Sequence, residues 1–323
     1  MHPLFLHYPI HTPSKQVAEH PYPTYTDNEY HYFIIPVTFS EEEAWEKYFI
    51  AKHFHEYDVA NVLCPIQNVH NQFITSIGKE TFMLYYARES ELHQMSIGKQ
   101  LAIFHRIGQL FPYKVESINN YGNWKELWIQ KVDQYEQLFK TYYQHKPTPP
   151  FMRELVDYFP YIIGISENAI QYMNLVMKER NYNEFDQPVL AYARLSNQLQ
   201  EPYIWTHRLI YDHPARDIAE YLRPMLCEQD GINHPTIQAF LKDYLSICQP
   251  SPFSWKMVFA RLLFPIHLYD AMDECVRLNY SDTPLGKIEE MQIHYEKNLQ
   301  TFFYQIGIDI SKESVIQLDW LMN

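Results

Sequence analysis

Tyr211-Asp212-His213-Pro214-Ala215-Arg216-Asp217-Ile218-Ala219-Glu220-Tyr221-Leu222-Arg223 is the stretch on which the rest of the chain can be hung. Pro214 interrupts whatever strand or loop precedes it. Asp217 can then cap or lead a helix in which Ile218, Tyr221 and Leu222 share one face. A carboxylate suits that end, because free N–H groups and the helix dipole favour negative charge there. Arg216 stands beside it, so Asp212 or Asp217 is a candidate paired, anchored acid. The same pattern also reads as a plain capped helix entry.

The chain has 323 residues and 46 % hydrophobic content, enough for two lobes, each with a core. Glycine is scarce, with 8 Gly against 21 Pro. A loop that cradles phosphate needs closely spaced glycines so that backbone N–H groups can approach the anion. No G-x-G-x-x-G and no G-x-x-x-x-G-K occurs. The formal net charge of −13 makes nucleic acid and anionic membrane poor partners. No apolar run reaches transmembrane length. The N-terminus lacks a basic region followed by an apolar stretch, so no signal peptide is expected. Cys64, Cys227, Cys248 and Cys275 are widely separated, which disfavours a zinc knuckle or a redox pair. The absence of H-E-x-x-H and G-x-S-x-G disfavours a zincin and an α/β-hydrolase.

Residues 1–30 read as an extended start with one short strand. His31 to Val37 is β-rich, with Pro36 marking a strand edge or end. Ser40 with Glu43 forms a capping box. The helix it opens runs to about His55, with Trp45, Tyr48, Phe49 and Lys52 at helical spacing. Strands are expected within 59–69 and over 72–75, a hairpin at Gly78-Lys79, and a strand over 81–87. Helices follow over 91–111, with Leu101, Phe104, Ile107 and Leu110 on one face, and over 124–143. Lys146-Pro147-Thr148-Pro149-Pro150 is a break. Two helices follow, near 151–159 and 166–180. A non-helical patch covers 187–211. The remainder to 321 is helical, interrupted at Pro224, Gly231, Pro250-Ser251-Pro252 and Pro284. A domain boundary near 87–91 divides 1–88 from 89–323.

The run Asp212-His213-Pro214-Ala215-Arg216-Asp217-Ile218-Ala219 resembles the segment that follows the metal-binding Asp in aminoglycoside-phosphotransferase-like kinases. It is similar, more closely, to the YutH branch of the CotS-type spore-coat proteins of endospore-forming bacilli. Gly98-Lys99-Gln100-Leu101-Ala102-Ile103-Phe104-His105 and Trp124-Lys125-Glu126-Leu127-Trp128 carry the same resemblance in the same order. It implies an α+β, bilobal protein-kinase-like fold: a small antiparallel-sheet N-lobe with one helix and a large, mainly helical C-lobe. The strand, helix, strand, hairpin, strand order before residue 88 is that of a kinase small lobe from its third strand onward. The resemblance also implies that Asp217 ties down the catalytic loop, taking backbone donors from the 190s.

Phosphoryl transfer rests on positioning and charge neutralisation. The resemblance says where a kinase would place each part. The small-lobe Lys belongs in Tyr32-Phe33-Ile34-Ile35-Pro36-Val37, which has none, so Glu41, Glu42, Glu43 and Glu46 read as a solvated face and helix start. In the His-x-Asp of the catalytic loop, Tyr192 stands for the His and Arg194 for the Asp. An Arg cannot serve as a general base. Asn197 has the wrong spacing for a metal ligand. The second metal-binding Asp falls at Trp205 or Thr206, neither of which replaces a carboxylate on magnesium.

The resemblance thus implies the fold, while the residues argue against the activity. The expected function is a non-catalytic, kinase-like structural or interaction protein of the endospore coat. No cofactor and no metal is expected. It would be made in the mother-cell cytoplasm and deposited on the spore, with other spore-coat proteins as partners. An enzyme remains the alternative: a small-molecule phosphotransferase in which Asp212 and Asp217 hold magnesium and Lys79 or Arg194 reaches phosphate. A module that binds a small molecule without turnover is the third reading. His207, Asp212, His213 and Asp217 lie close in sequence, but their spacing matches no common closed metal site. His105, and the pair Trp124 and Trp128, read as core.

Overall fold

A computed structural model describes residues 2–10, 15–17, 22–27, 29–88, 95–144, 150–179, 183–278 and 285–308. The Lys146–Pro149 part of the expected break, Pro284, and the helix ends expected before residue 95, at Arg180 and after 308 lie outside the described residues. The described chain packs as two compact units. One comprises residues 1–120 with 188–212, and the other 121–187 with 213–323. Residue 88 lies inside the first unit.

The first unit is built on an antiparallel sheet with strands β1 (Lys15–Val17), β2 (Thr24–Thr26), β3 (His31–Pro36), β4 (Cys64–Ile66), β5 (Ile74–Ile77) and β6 (Glu80–Ala87). The order is β1-β2-β3-β6-β4, and β5 also pairs with β6. Strand β6 is thus shared. It meets β3 along its length, β5 over Glu80–Met83 and β4 over Leu84–Tyr86. Side chains alternate across a strand, and both faces of β3 are covered. Tyr32 and Ile34 pack with Leu84, Leu4, Phe5 and Tyr8 on one side. Phe33 and Ile35 pack with Met83 and Tyr85 on the other. That is why β3 reads as an unbroken apolar run. The expected extended N-terminus instead opens with a 3-10 turn, Pro3–His7, whose Leu4 and Phe5 help close the outer face. Pro36 ends β3, as expected. Gly78 turns the β5–β6 hairpin at φ 65°, a region open to glycine without strain.

Helix α1 (Glu41–Glu56) is capped by Ser40, whose hydroxyl accepts from the Glu43 N–H at 3.3 Å. It ends where Val59 N–H reaches back to Phe54 O and Asp58 N–H to His55 O, with Asp58 at φ 61°, the geometry of a Schellman stop. Its buried face is Ala44, Lys47, Ile50, Ala51 and Phe54, one helical step away from the expected Trp45, Tyr48, Phe49 and Lys52. Helix α2 (Ile97–Gln109) buries Leu101, Phe104 and Ile107. Leu110, expected on that face, is exposed just past its end. Strands β7 (Val189–Tyr192) and β8 (Leu209–Asp212) form an antiparallel pair.

The second unit is helical: α3 (Trp124–Gln144), α4 (Pro150–Val176), α5 (Ala215–Leu226), α6 (Pro235–Leu245), α7 (Pro252–Leu263), α8 (Ile266–Leu278), α9 (Leu285–Gln300) and α10 (Phe302–Gln305). Two expected breaks are absent. Helix α4 runs through Pro160 as a single element, and α5 continues past Pro224. Proline removes one helical hydrogen bond, and the packing of α4 on α3 and α7, and of α5 on α7, outweighs that loss. The break at Gly231 is real, and Ser251 caps α7 as Pro252 begins it. Trp124 and Trp128 are core, with Trp128 stacked on Phe264 at 4.7 Å.

Candidate functional site

The β7–β8 hairpin is seated by α2. A Cβ on Gly108 would lie 2.8 Å from Leu190 N and 3.0 Å from Leu190 Cβ, so the helix approaches β7 as closely as it does only with glycine there. One turn earlier, Phe104 stacks on Tyr192 at 5.0 Å and on Phe54 of α1 at 4.8 Å. Tyr192 is therefore the buried end of a three-ring column. His105 beside it is buried too. Arg194 and Asn197 are exposed on the turn that leaves β7.

The segment between the two strands goes back into the sheet. Tyr203 and Trp205 join the core on the inner face of β3 and β6. Both rings meet Phe33 edge-on, at 4.9 Å and 5.2 Å between centroids. Tyr22 closes on Trp205 at 5.4 Å. The Trp205 indole N–H donates to Glu201, which also pairs with Arg208 at 3.2 Å. Thr206 is fully buried and its hydroxyl donates to Leu63 O at 2.9 Å. The aromatic side chains thus fill this face of the sheet within the unit.

Helix α1 contributes the charges. Lys47 is buried, donates to Leu209 O at 2.8 Å and stands 3.6 Å from Glu43. Burial pulls its pKa down to about 8 against the opposing pull of Glu43 and Glu46. His207 lies nearby, its pKa lowered to about 3 by burial first and then by Arg208 and Lys47. Of Glu41, Glu42, Glu43 and Glu46, expected as a solvated face, Glu42 alone is exposed. The Glu41 carboxylate accepts from Phe73 N–H at 2.6 Å and Ile74 N–H at 3.1 Å. Glu46 accepts from the N–H groups of Glu116, Ser117 and Ile118. Glu41 thus staples the start of β5 and Glu46 the 116–118 segment, and amides left unpaired are costly. Sequence reasoning missed Lys47. The signal was its i+3 and i+4 spacing to Ala44, Ile50 and Ala51, which puts it on the apolar side of α1. Lys79, on the hairpin turn, is exposed.

Asp212, at the end of β8, Asp217, in the first turn of α5, and Arg216 are all buried. Asp217 and Cys248 both act on Tyr244, whose hydroxyl burial already holds well above its usual range. The same helix carries two further buried charges. Glu220 pairs with Arg261 at 3.0 Å. Arg223 donates to the carbonyls of Arg261, Leu262 and Phe264 and to the Tyr295 hydroxyl. It therefore caps the end of α7. Among the described residues, no group of three or more His, Cys, Asp or Glu is placed to share a metal ion. Likewise no helix is long and apolar enough to cross a membrane.

Residues 2–305 match the family model described as spore coat putative kinase YutH. The chain is 28 % identical over 329 residues to the endospore coat-associated protein YutH of Bacillus subtilis (strain 168), covering 97 % of this chain and 96 % of that one. Solved structures with a similar fold include an aminoglycoside phosphotransferase from Alicyclobacillus acidocaldarius, at 13 % identity and a TM-score of 0.60 over 91 % of this chain and 92 % of that one. A microcompartment-associated aminopropanol kinase matches at 10 % identity and a TM-score of 0.56, over 95 % and 97 %. Amicoumacin kinase, solved with AMP-PNP, calcium and its antibiotic, matches at 12 % identity and 0.54, over 96 % and 94 %. At these identities the structures speak for the fold, which is the kinase-like α+β fold.

Proposed function

This chain belongs to the spore coat putative kinase YutH family, and we propose that within it the chain is a non-catalytic, kinase-like protein that works by associating with other proteins of the endospore coat. The observation that carries this reading is the fate of Trp205 and Thr206. In the proposed correspondence they stand where a kinase places its second metal-binding Asp. Both are buried, Trp205 against Phe33 and Thr206 on Leu63 O. Magnesium demands oxygen ligands in near-octahedral array, and an indole with a committed hydroxyl beside it does not fit that demand. Arg194, at the place of the catalytic Asp, carries no proton acceptor. Support also comes from the inner face of the sheet, where Tyr203 and Trp205 join the core of Phe33 and Tyr22 packs against it; in the proposed correspondence this is the face from which a strand Lys would hold nucleotide phosphates.

Synthesis in the mother cell and contact with coat proteins follow from family membership as part of the proposal. The net charge of −13 favours protein partners over nucleic acid. Asp212 keeps the phosphotransferase reading open, because it is a buried acid at the end of β8. The test is phosphate release and phosphotransfer by the purified chain with ATP or GTP, magnesium or manganese, and amino-sugar and amino-alcohol acceptors. No turnover above that of a folded Asp212→Ala variant is expected. Turnover that this substitution abolishes while the melting curve is unchanged would replace the structural reading with the enzymatic one.

A further inference from the structure

An opening in the second unit lies among α3, α4 and α8. It is a cavity of about 160 Å³, the size class in which an apolar protein cavity of about 150 Å³ holds a benzene ring. Its walls are aromatic and aliphatic: Tyr135 and Phe139 from α3, Val156 and Phe159 from α4, and Met272 from α8. Phe139 and Phe159 are stacked at 4.6 Å, which gives the cavity a flat side suited to another ring. Two charged residues of α8, Asp273 and Arg277, stand at the mouth one helical turn apart.

The mouth is asymmetric in what it has left to offer. Asp273 accepts from the Tyr135 hydroxyl and pairs with Lys131 at 3.6 Å. The Lys131 ammonium also sits over the Tyr135 ring, 4.8 Å from its centroid. An aromatic face next to a carboxylate is where an organic cation would dock, and here the protein's own Lys131 occupies that place. Arg277 is different. Its bond to the exposed Glu274, at 3.4 Å, uses one of the five N–H donors of a guanidinium. A guanidinium fork is matched by a carboxylate.

We infer that this cavity is a binding site for a small aromatic monocarboxylate, with the ring between Phe139 and Val156 and the carboxylate on Arg277. The inference is independent of whether the chain turns over nucleotide, since none of these residues belongs to the β7–β8 hairpin or the sheet. It also separates the site from any that would take an amine.

The test is calorimetric titration of the full chain with three probes of one shape: benzoate, benzyl alcohol and benzylamine. Benzoate should bind tightest and benzylamine weakest. Arg277→Gln, at an exposed position, should weaken benzoate by about tenfold, the loss of one charge-assisted contact, and leave benzyl alcohol unchanged. Val156→Phe should fill the cavity and remove binding of all three without lowering the melting temperature. Benzylamine binding tightest, benzoate binding indifferent to Arg277→Gln, or no binding of any probe would each overturn the inference. Binding that survives Val156→Phe would overturn its location.

Discussion

The ammonium of Lys47, in the middle of α1, donates to the carbonyl oxygen of Leu209, the first residue of β8, across 2.8 Å. This single bond joins the helix that packs under the sheet to the hairpin whose β7 strand lies on α2. A lysine held there gives up water on all sides, which is why its pKa falls to about 8. In the unfolded chain the same group holds its proton to about pH 10.4. Between those values the unfolded state binds more protons, so stability rises with pH there and is lost as pH falls through the folded value.

Lys47→Met should remove that slope. From about pH 7 to about pH 9.5 the wild-type chain should gain roughly 2 kcal/mol relative to the variant. Urea unfolding followed at the two pH values measures it. A constant difference between the chains would mean that Lys47 is not desolvated.

Acid should act through two buried imidazoles. His207 in the first unit and His267 in the second each have pKa values lowered to about 3, by burial first. A lowered folded pKa means stability present above the unfolded value near 6.5 and lost as pH falls toward 3. By about pH 5 each should have cost roughly 2 kcal/mol. His207→Gln and His267→Gln should each flatten the acid limb of a stability profile. Resonances assigned to His207 or His267 that titrate near pH 6.5 in the folded chain would contradict this.

Two glycines in helices predict opposite signs. Gly108→Ala puts a Cβ 2.8 Å from a backbone nitrogen of β7, and overpacking of that kind costs about 1–3 kcal/mol. Gly164→Ala, in α4, meets nothing within 4 Å and should gain about 0.5–1 kcal/mol from helix propensity. Thermal melts of the pair read the contrast directly, and equal effects would show that α2 can yield at β7.

Arg223→Met leaves the carbonyls of Arg261, Leu262 and Phe264 without their shared donor. Loss of hydrogen bonds made by a buried charged donor costs about 1–3 kcal/mol. Arg223→Lys should recover little, because an ammonium cannot reproduce the planar fork. Denaturant midpoints for the two variants within experimental error of wild type would rule out this cap as the closure of α7.

Asp217→Ala tests the anchor. Asp217 is fully buried in the first turn of α5, where its charge complements the helix dipole. Removing it should lower stability by about 1–3 kcal/mol. An unchanged melting temperature would detach this residue from any anchoring role.

Much of the fold is legible in the chain because it is decided by local physics. The Ser40 cap, the turn at Gly78, the break at Gly231 and the apolar run of β3 each follow from residues within a few positions of one another. So does the family resemblance, and with it the absence of a carboxylate at Arg194, Trp205 and Thr206. What the tertiary structure alone decided is where side chains end. Glu41 and Glu46 look like a solvated helix start until the entry to β5 and the 116–118 segment bring amide donors to them. The spacing of Lys47 puts it on the apolar side of α1, but its partner is decided only when β8 offers a carbonyl. Pro160 and Pro224 look like breaks until packing on neighbouring helices outweighs one missing hydrogen bond. Trp205 could be recognised as the wrong residue for metal. That it fills the face of its own sheet depends on Phe33, more than 170 positions away in the chain, and no local pattern encodes a contact of that separation.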